Sequence, residues 1–257
     1  MNITMMTEEQ TYLAVCIASI VACLADSILL LNMRSFNKEI SRRLYKPVRY
    51  ISARIALGLA FLIIALMTAG LLFKGTGGGQ PPQKFFSIGN LVISSSQALL
   101  FTIASLALFN SKLVKKSLVA VHFAPIMLFV LIYFIFIEHP KVGNMVCYCF
   151  FTFYVVQLVV YTMAFFFERK KYINTLRINC TPQEYAQCRN RGVTVIFIAA
   201  VLVGVAALAS YFFTQYWQLS LFVLSYTLFY SAVTVYFLDY AKKSLEIESI
   251  TADDREF

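Results

Sequence analysis

Asp26 is the residue of this sequence whose placement demands most of its surroundings. It stands inside an apolar run, about Tyr12 to Met33, that Arg34 closes. From Asp26 to Arg34 is about 12 Å along a helix axis. A lone carboxylate that deep in hydrocarbon costs at least ~2.5 kcal/mol, so Asp26 is expected to be paired or protonated. Arg54, His122 and Asp239 lie near the corresponding ends of later apolar runs. Arg54 is the natural partner, because it enters the second run from the same side. The four are read as an intramembrane polar cluster. Such a cluster can serve as a two-state charge network or a proton path. The plainer role, and the preferred one, is a clamp holding the first, second and seventh runs in register.

A second group falls near the middle of the apolar runs. Gln97 and Gln157 are the polar centres, with Ser94, Ser95 and Ser96 before Gln97 and with Tyr154, Tyr226 and Tyr230 at similar depth. These residues could line a ligand site. As packing glue they would supply interhelical hydrogen bonds worth about 0.6 to 2 kcal/mol each in a membrane. Hydrolytic and phosphate-binding signatures are missing: there is no His-Glu-x-x-His, Gly-x-Ser-x-Gly or phosphate loop. The seventh run has no lysine before Lys242, so a retinal Schiff base has no anchor. The six cysteines include no Cys-x-x-Cys pair and have no histidine beside them in sequence. The sequence calls for no enzyme activity, no metal and no cofactor.

The elements that carry these residues follow from composition. Of 257 residues, 60% are hydrophobic and 14% charged, where a soluble domain would have about a quarter charged. The apolar residues come in blocks near twenty, the length that crosses ~30 Å of hydrocarbon as a helix. The reading is an all-α integral membrane protein, a bundle of seven transmembrane helices over about 12–33, 50–73, 85–109, 117–137, 145–167, 192–213 and 219–240. Together these make a domain over 1–243, followed by an acidic cytoplasmic tail over 244–257. All of the 22 Lys and Arg except Lys74, Lys84 and Lys141 fall in alternate segments. Positive segments stay in the cytoplasm, so the N-terminus is outside and the C-terminus cytoplasmic. The same placement argues against nucleic acid as the partner of the net charge of +9.

Local signals refine the loops. In the basic stretch Arg34–Arg54, Phe36, Ile40 and Leu44 share one face of a short helix able to lie on the inner leaflet. Lys74–Lys84, with three consecutive glycines and two prolines, reads as a flexible outer connector. Pro125 should kink the fourth span. Thr181-Pro-Gln-Glu184 matches a capping box, and the helix it opens is expected to run into the sixth span without a break.

The polar start before Tyr12, the basic loop Arg34–Arg54 and the seventh run entering Asp239-Tyr-Ala-Lys-Lys243 resemble the membrane-embedded sensory halves of multi-span regulators of Bacteroidota. Those halves precede an AraC-type helix-turn-helix or a histidine kinase domain. The resemblance implies a signalling module in a bacterial inner membrane that passes a helix shift to a cytoplasmic output domain or, through the tail, to a protein partner. The chain ends at Phe257 without such a domain, so one encoded further on, or a recruited partner, is expected. The bilayer is the immediate partner, and an oligomer is compatible with the sequence. The alternatives are a small-solute or lipid transporter using the Gln97, Gln157 and tyrosine region, and a structural subunit of a membrane complex. The orientation is checked with single cysteines in a cysteine-free background. One at position 115 should resist a membrane-impermeant maleimide in intact cells and one at position 78 should react; the opposite pattern would invert the topology.

Overall fold

The structure is a computed structural model and describes residues 7–32, 48–73, 83–110 and 116–252. Every regular element among them is a helix: α1 Glu8–Asn32, α2 Val48–Phe73, α3 Gln83–Phe109, α4 Lys116–Ile135, α5 Pro140–Asn179, α6 Pro182–Cys188, α7 Arg191–Ser210 and α8 Tyr216–Ala252. Hydrocarbon offers no partner to a free backbone amide, and a helix satisfies its own. Six helical segments are long and apolar enough to cross a membrane, and α4 contributes a shorter apolar stretch, Val119–Ile135. The chain is therefore a multi-pass helical membrane bundle. The inner-leaflet helix expected around Phe36, Ile40 and Leu44, the glycine-rich connector and the end of the tail lie outside the described residues.

Helix ends follow local chemistry. Thr7 and Gln10 form a capping box at α1: the Thr7 amide donates to Gln10 Oε1 at 3.0 Å and the Gln10 amide to Thr7 Oγ1 at 3.3 Å. The box expected at α6 is present. Thr181 accepts from the Glu184 amide at 3.4 Å, and Glu184 accepts from the Thr181 amide at 2.9 Å. The Thr181 hydroxyl, which donates to Glu184 Oε2 at 2.7 Å, and the Thr181 amide hold the Glu184 carboxyl below its ordinary pKa. The expected continuity of α6 into α7 fails. Asn190 takes a left-handed conformation, φ 48° and ψ 48°, and breaks the chain direction there. Its side-chain amide donates to the Tyr240 hydroxyl at 2.6 Å, so a contact with α8 helps hold the break.

Two helices outrun their expected spans. α5 begins at Pro140, inside the predicted outer turn, and continues through the predicted loop to Asn179. Its 40 residues make a rod of about 60 Å. α8 continues past Tyr240 to Ala252, so most of the predicted tail is helical. Neither extension breaks the apolar pattern rule; each is a polar helix added beyond the membrane, supported on α5 by Tyr172 donating to the Cys188 carbonyl at 3.1 Å.

α3 is the centre. It packs against α2, α4, α5 and α7, and 72% of its apolar window is buried. α7 lies at the other extreme with 17% buried. α1 packs on α2 and α8, and α4 only on α3 and α5. α1 and α8 run parallel: Tyr12 meets Tyr216, Ser19 meets Thr227, and Asp26 meets Ser231, in the same order along both. Small residues bring α1 and α2 together. A Cβ on Gly58 would meet Leu31 side-chain atoms at 2.8 Å, and the Gly58 carbonyl accepts from Ser27 Oγ at 2.8 Å. Gly58→Leu should overpack this contact and lower stability in detergent by about 1–3 kcal/mol, with Leu31→Ala restoring part of it. An unchanged melting temperature would show that the helices do not meet there.

Candidate functional site

The polar residues that could act on a ligand converge on one cleft. It lies between α3, α5, α7 and α8, and encloses about 700 Å³ of space between atoms, its open mouth included. Most of that space is narrow, and only a small part admits a water-sized sphere. The cleft exists because α3 and α8 do not pack backbone to backbone. Aromatic side chains bridge them instead: Phe101 lies 5.9 Å from Phe229 and 5.5 Å from Tyr230, centroid to centroid. Phe61 of α2 closes the floor behind these rings, 5.3 Å from Tyr230 and 6.1 Å from Phe101.

Gln97, Tyr154, Tyr226 and Tyr230, singled out from the sequence, all line this cleft. Gln157 does not. It lies in the contact between α3 and α5, where the Ser95 hydroxyl donates to its Oε1 and its Nε2 donates back to the Ser95 carbonyl at 3.2 Å. An amide with both ends engaged by one partner is glue, and Gln157 fastens α5 to α3. Gln97 is half engaged: its Nε2 donates to the Ala60 carbonyl at 2.7 Å, tying α3 to α2, while its buried Oε1 has no hydrogen-bond partner. Tyr154 donates to the Gly204 carbonyl at 3.1 Å. That bond requires α7 to come close to α5, and Gly204 permits it: a Cβ there would stand 3.0 Å from both Leu158 and the Tyr154 hydroxyl.

Ser94, named beside Gln97 in the sequence, lines the cleft as well, while sequence reasoning missed Asn90 and Phe101. Asn90, Ser94 and Gln97 occupy one face of α3 at helical spacing, with Phe101 a turn further on. Asn90 also donates to Ser210 Oγ at 3.5 Å, closing that end of the cleft. Period-3.6 spacing of Asn90, Ser94 and Gln97 was the available signal. Among the described residues, none that lines the cleft is Asp, Glu, Lys, Arg or His.

Of the four ionisable residues grouped from the sequence, His122 stands apart from the other three. Asp26 is buried and accepts from Ser231 Oγ of α8 at 3.1 Å. Arg54 is buried at the same end of the bundle, one helical turn from Tyr50, whose hydroxyl donates to the Phe237 carbonyl at 2.9 Å. Asp239 is exposed on α8. His122 belongs elsewhere: its Nδ1 lies 3.1 Å from the Tyr161 hydroxyl, and α4 does not touch α1, α2 or α8. The physical reason is helix placement. Depth along each span was readable from the sequence, but which spans are neighbours was not.

No family model, no curated protein and no solved structure matches this chain. Functional inference therefore rests on the site itself. The glue role of Gln157 is checked by a double-mutant cycle. Gln157→Leu should cost about 1–3 kcal/mol by orphaning Ser95, and Ser95→Ala in that background should cost little more. Fully additive losses would mean the pair does not interact.

Proposed function

We propose that this chain is a membrane-embedded sensory module, with seven spans, its N-terminus outside and its C-terminus cytoplasmic, in a bacterial inner membrane. A ligand in the α3–α8 cleft would bias two positions of α8, and α8 would carry the change to a cytoplasmic output domain or partner. The resemblance to the sensory halves of Bacteroidota regulators and the positive-inside charge pattern support the setting. The observation that carries the mechanism is the continuity of α8. Phe222, Tyr226, Phe229 and Tyr230 line the cleft, and the same helix runs unbroken to Ala252. From Tyr230 to Ala252 is about 33 Å of rigid rod.

One turn of α8 also couples two contacts. Tyr230 forms cleft wall, and Ser231, the next residue, holds the Asp26 carboxylate. A displacement of the Tyr230 ring is thus felt at an interhelical bond to α1. A hydrogen bond between helices in a membrane is worth about 0.6–2 kcal/mol, which suits a latch with two positions. A ligand moves such an equilibrium only by the difference in its affinity for the two states. The transporter alternative draws on the same cleft and differs in requiring no output through α8.

A reporter domain fused after Phe257 tests the mechanism. Alanines inserted one at a time after Lys243 rotate the reporter by about 100° per residue relative to the cleft. Output should oscillate with the number inserted, returning near the third or fourth, and Asp26→Asn should shift its baseline. Output indifferent to both changes would remove the signalling reading and favour transport.

A further inference from the structure

Three features of the cleft constrain what can occupy it. The first is charge. Among the described residues its walls hold no acidic, basic or imidazole group, so a ligand carboxylate or ammonium would lose its water and meet no counter-charge there. The second is shape. The lining of α3 extends from Asn90 to Thr102, about 18 Å along the axis, and the space is narrow, which suits a slender chain and not a fused ring system. The third is the pattern along α3, where the polar side chains of Asn90, Ser94 and Gln97 precede the ring of Phe101.

Gln97 supplies the sharpest constraint. It is 5% exposed. The Ala60 carbonyl can only accept, so the end of the amide facing it is Nε2. That leaves Oε1, on a residue of the cleft lining, as a buried acceptor with no hydrogen-bond partner. Such an acceptor rewards a ligand that brings a donor and penalises one that does not.

We propose that the cleft binds a neutral single-chain lipid with a hydroxyl headgroup, a long-chain alcohol in the simplest case, whose hydroxyl donates to Gln97 Oε1. A hydroxyl both donates and accepts, so the same group can take a bond from Ser94 or Asn90. The chain lies along Phe101 and Phe229 between α3 and α8. This assignment rests on the sensory reading for its purpose, but its binding chemistry is tested separately.

The test uses the full chain in proteoliposomes with three photoactivatable diazirine probes of equal chain length: hexadecanol, hexadecane and hexadecanoic acid analogues. The alcohol probe should label peptides of α3 and α7, and excess hexadecanol should compete while hexadecane and hexadecanoate do not. Gln97→Leu should reduce labelling about tenfold, the worth of one buried hydrogen bond. Ala200→Phe, which adds bulk to the cleft lining and leaves the Gln97 side chain itself in place, should abolish labelling at an unchanged melting temperature. Equal labelling by the alkane or the acid, absence of labelling by the alcohol, or a Gln97→Leu protein that labels like the parent would overturn the proposal. Should Gln97→Leu not fold, Ala200→Phe and the competition series decide. Loss of alcohol labelling with register-dependent reporter output intact removes the ligand class alone; normal labelling with an indifferent reporter removes the sensory reading alone.

Discussion

The polar side chains carried by α3 are the constraint around which the bundle is arranged. Asn90, Ser94, Ser95, Ser96, Gln97, Thr102 and Ser105 all lie on one membrane-depth helix, and none of them is exposed. Facing lipid, each would leave a donor or acceptor without a partner in a medium that supplies none. Four helices therefore surround α3 and bring partners to several of its polar groups: Gln157 from α5, the Ala60 carbonyl from α2, Ser210 from α7. α7 shows the converse. Its exposed positions Val195, Ile198, Leu202 and Val205 form an apolar stripe that lipid accepts without loss.

The cleft follows from the same constraint. α3 is already in contact on four sides, and α8 is held by α1, α2 and α7. Aromatic rings, stacked or tilted against one another, fill the remaining gap and leave narrow crevices between them. A helix pair separated by rings in place of backbone contact can shift without breaking its own hydrogen bonds. That makes the α3–α8 gap the softest part of an otherwise small-residue-packed bundle.

Much of this was legible in the sequence. The apolar blocks reported the helices because hydrocarbon thickness fixes their length. Gln97, Tyr154, Tyr226 and Tyr230 were recognisable as partners because polar atoms at one depth must find each other. The capping box at Thr181 was legible because it is local. What could not be read was lateral arrangement. His122 and Asp26 have similar depth, yet α4 and α1 are not neighbours, and no local signal says so. Gln157 was grouped with the ligand-lining residues, since nothing in its own segment reveals that Ser95 engages both ends of its amide. The break at Asn190 depends on Tyr240, fifty residues away, so a capping signal alone predicted continuity. The extensions of α5 and α8 went unread because polar helices beyond the membrane have no length rule.

The account depends most directly on α3 being enclosed on every side. Single spin labels scanned over residues 91–104, in the reconstituted protein, report exposure to lipid through oxygen-dependent relaxation. The predicted result is uniformly low accessibility along α3 with no helical period, against a strong period of about 3.6 residues along α7. A lipid-exposed stripe on α3 as pronounced as that of α7 would contradict the arrangement described.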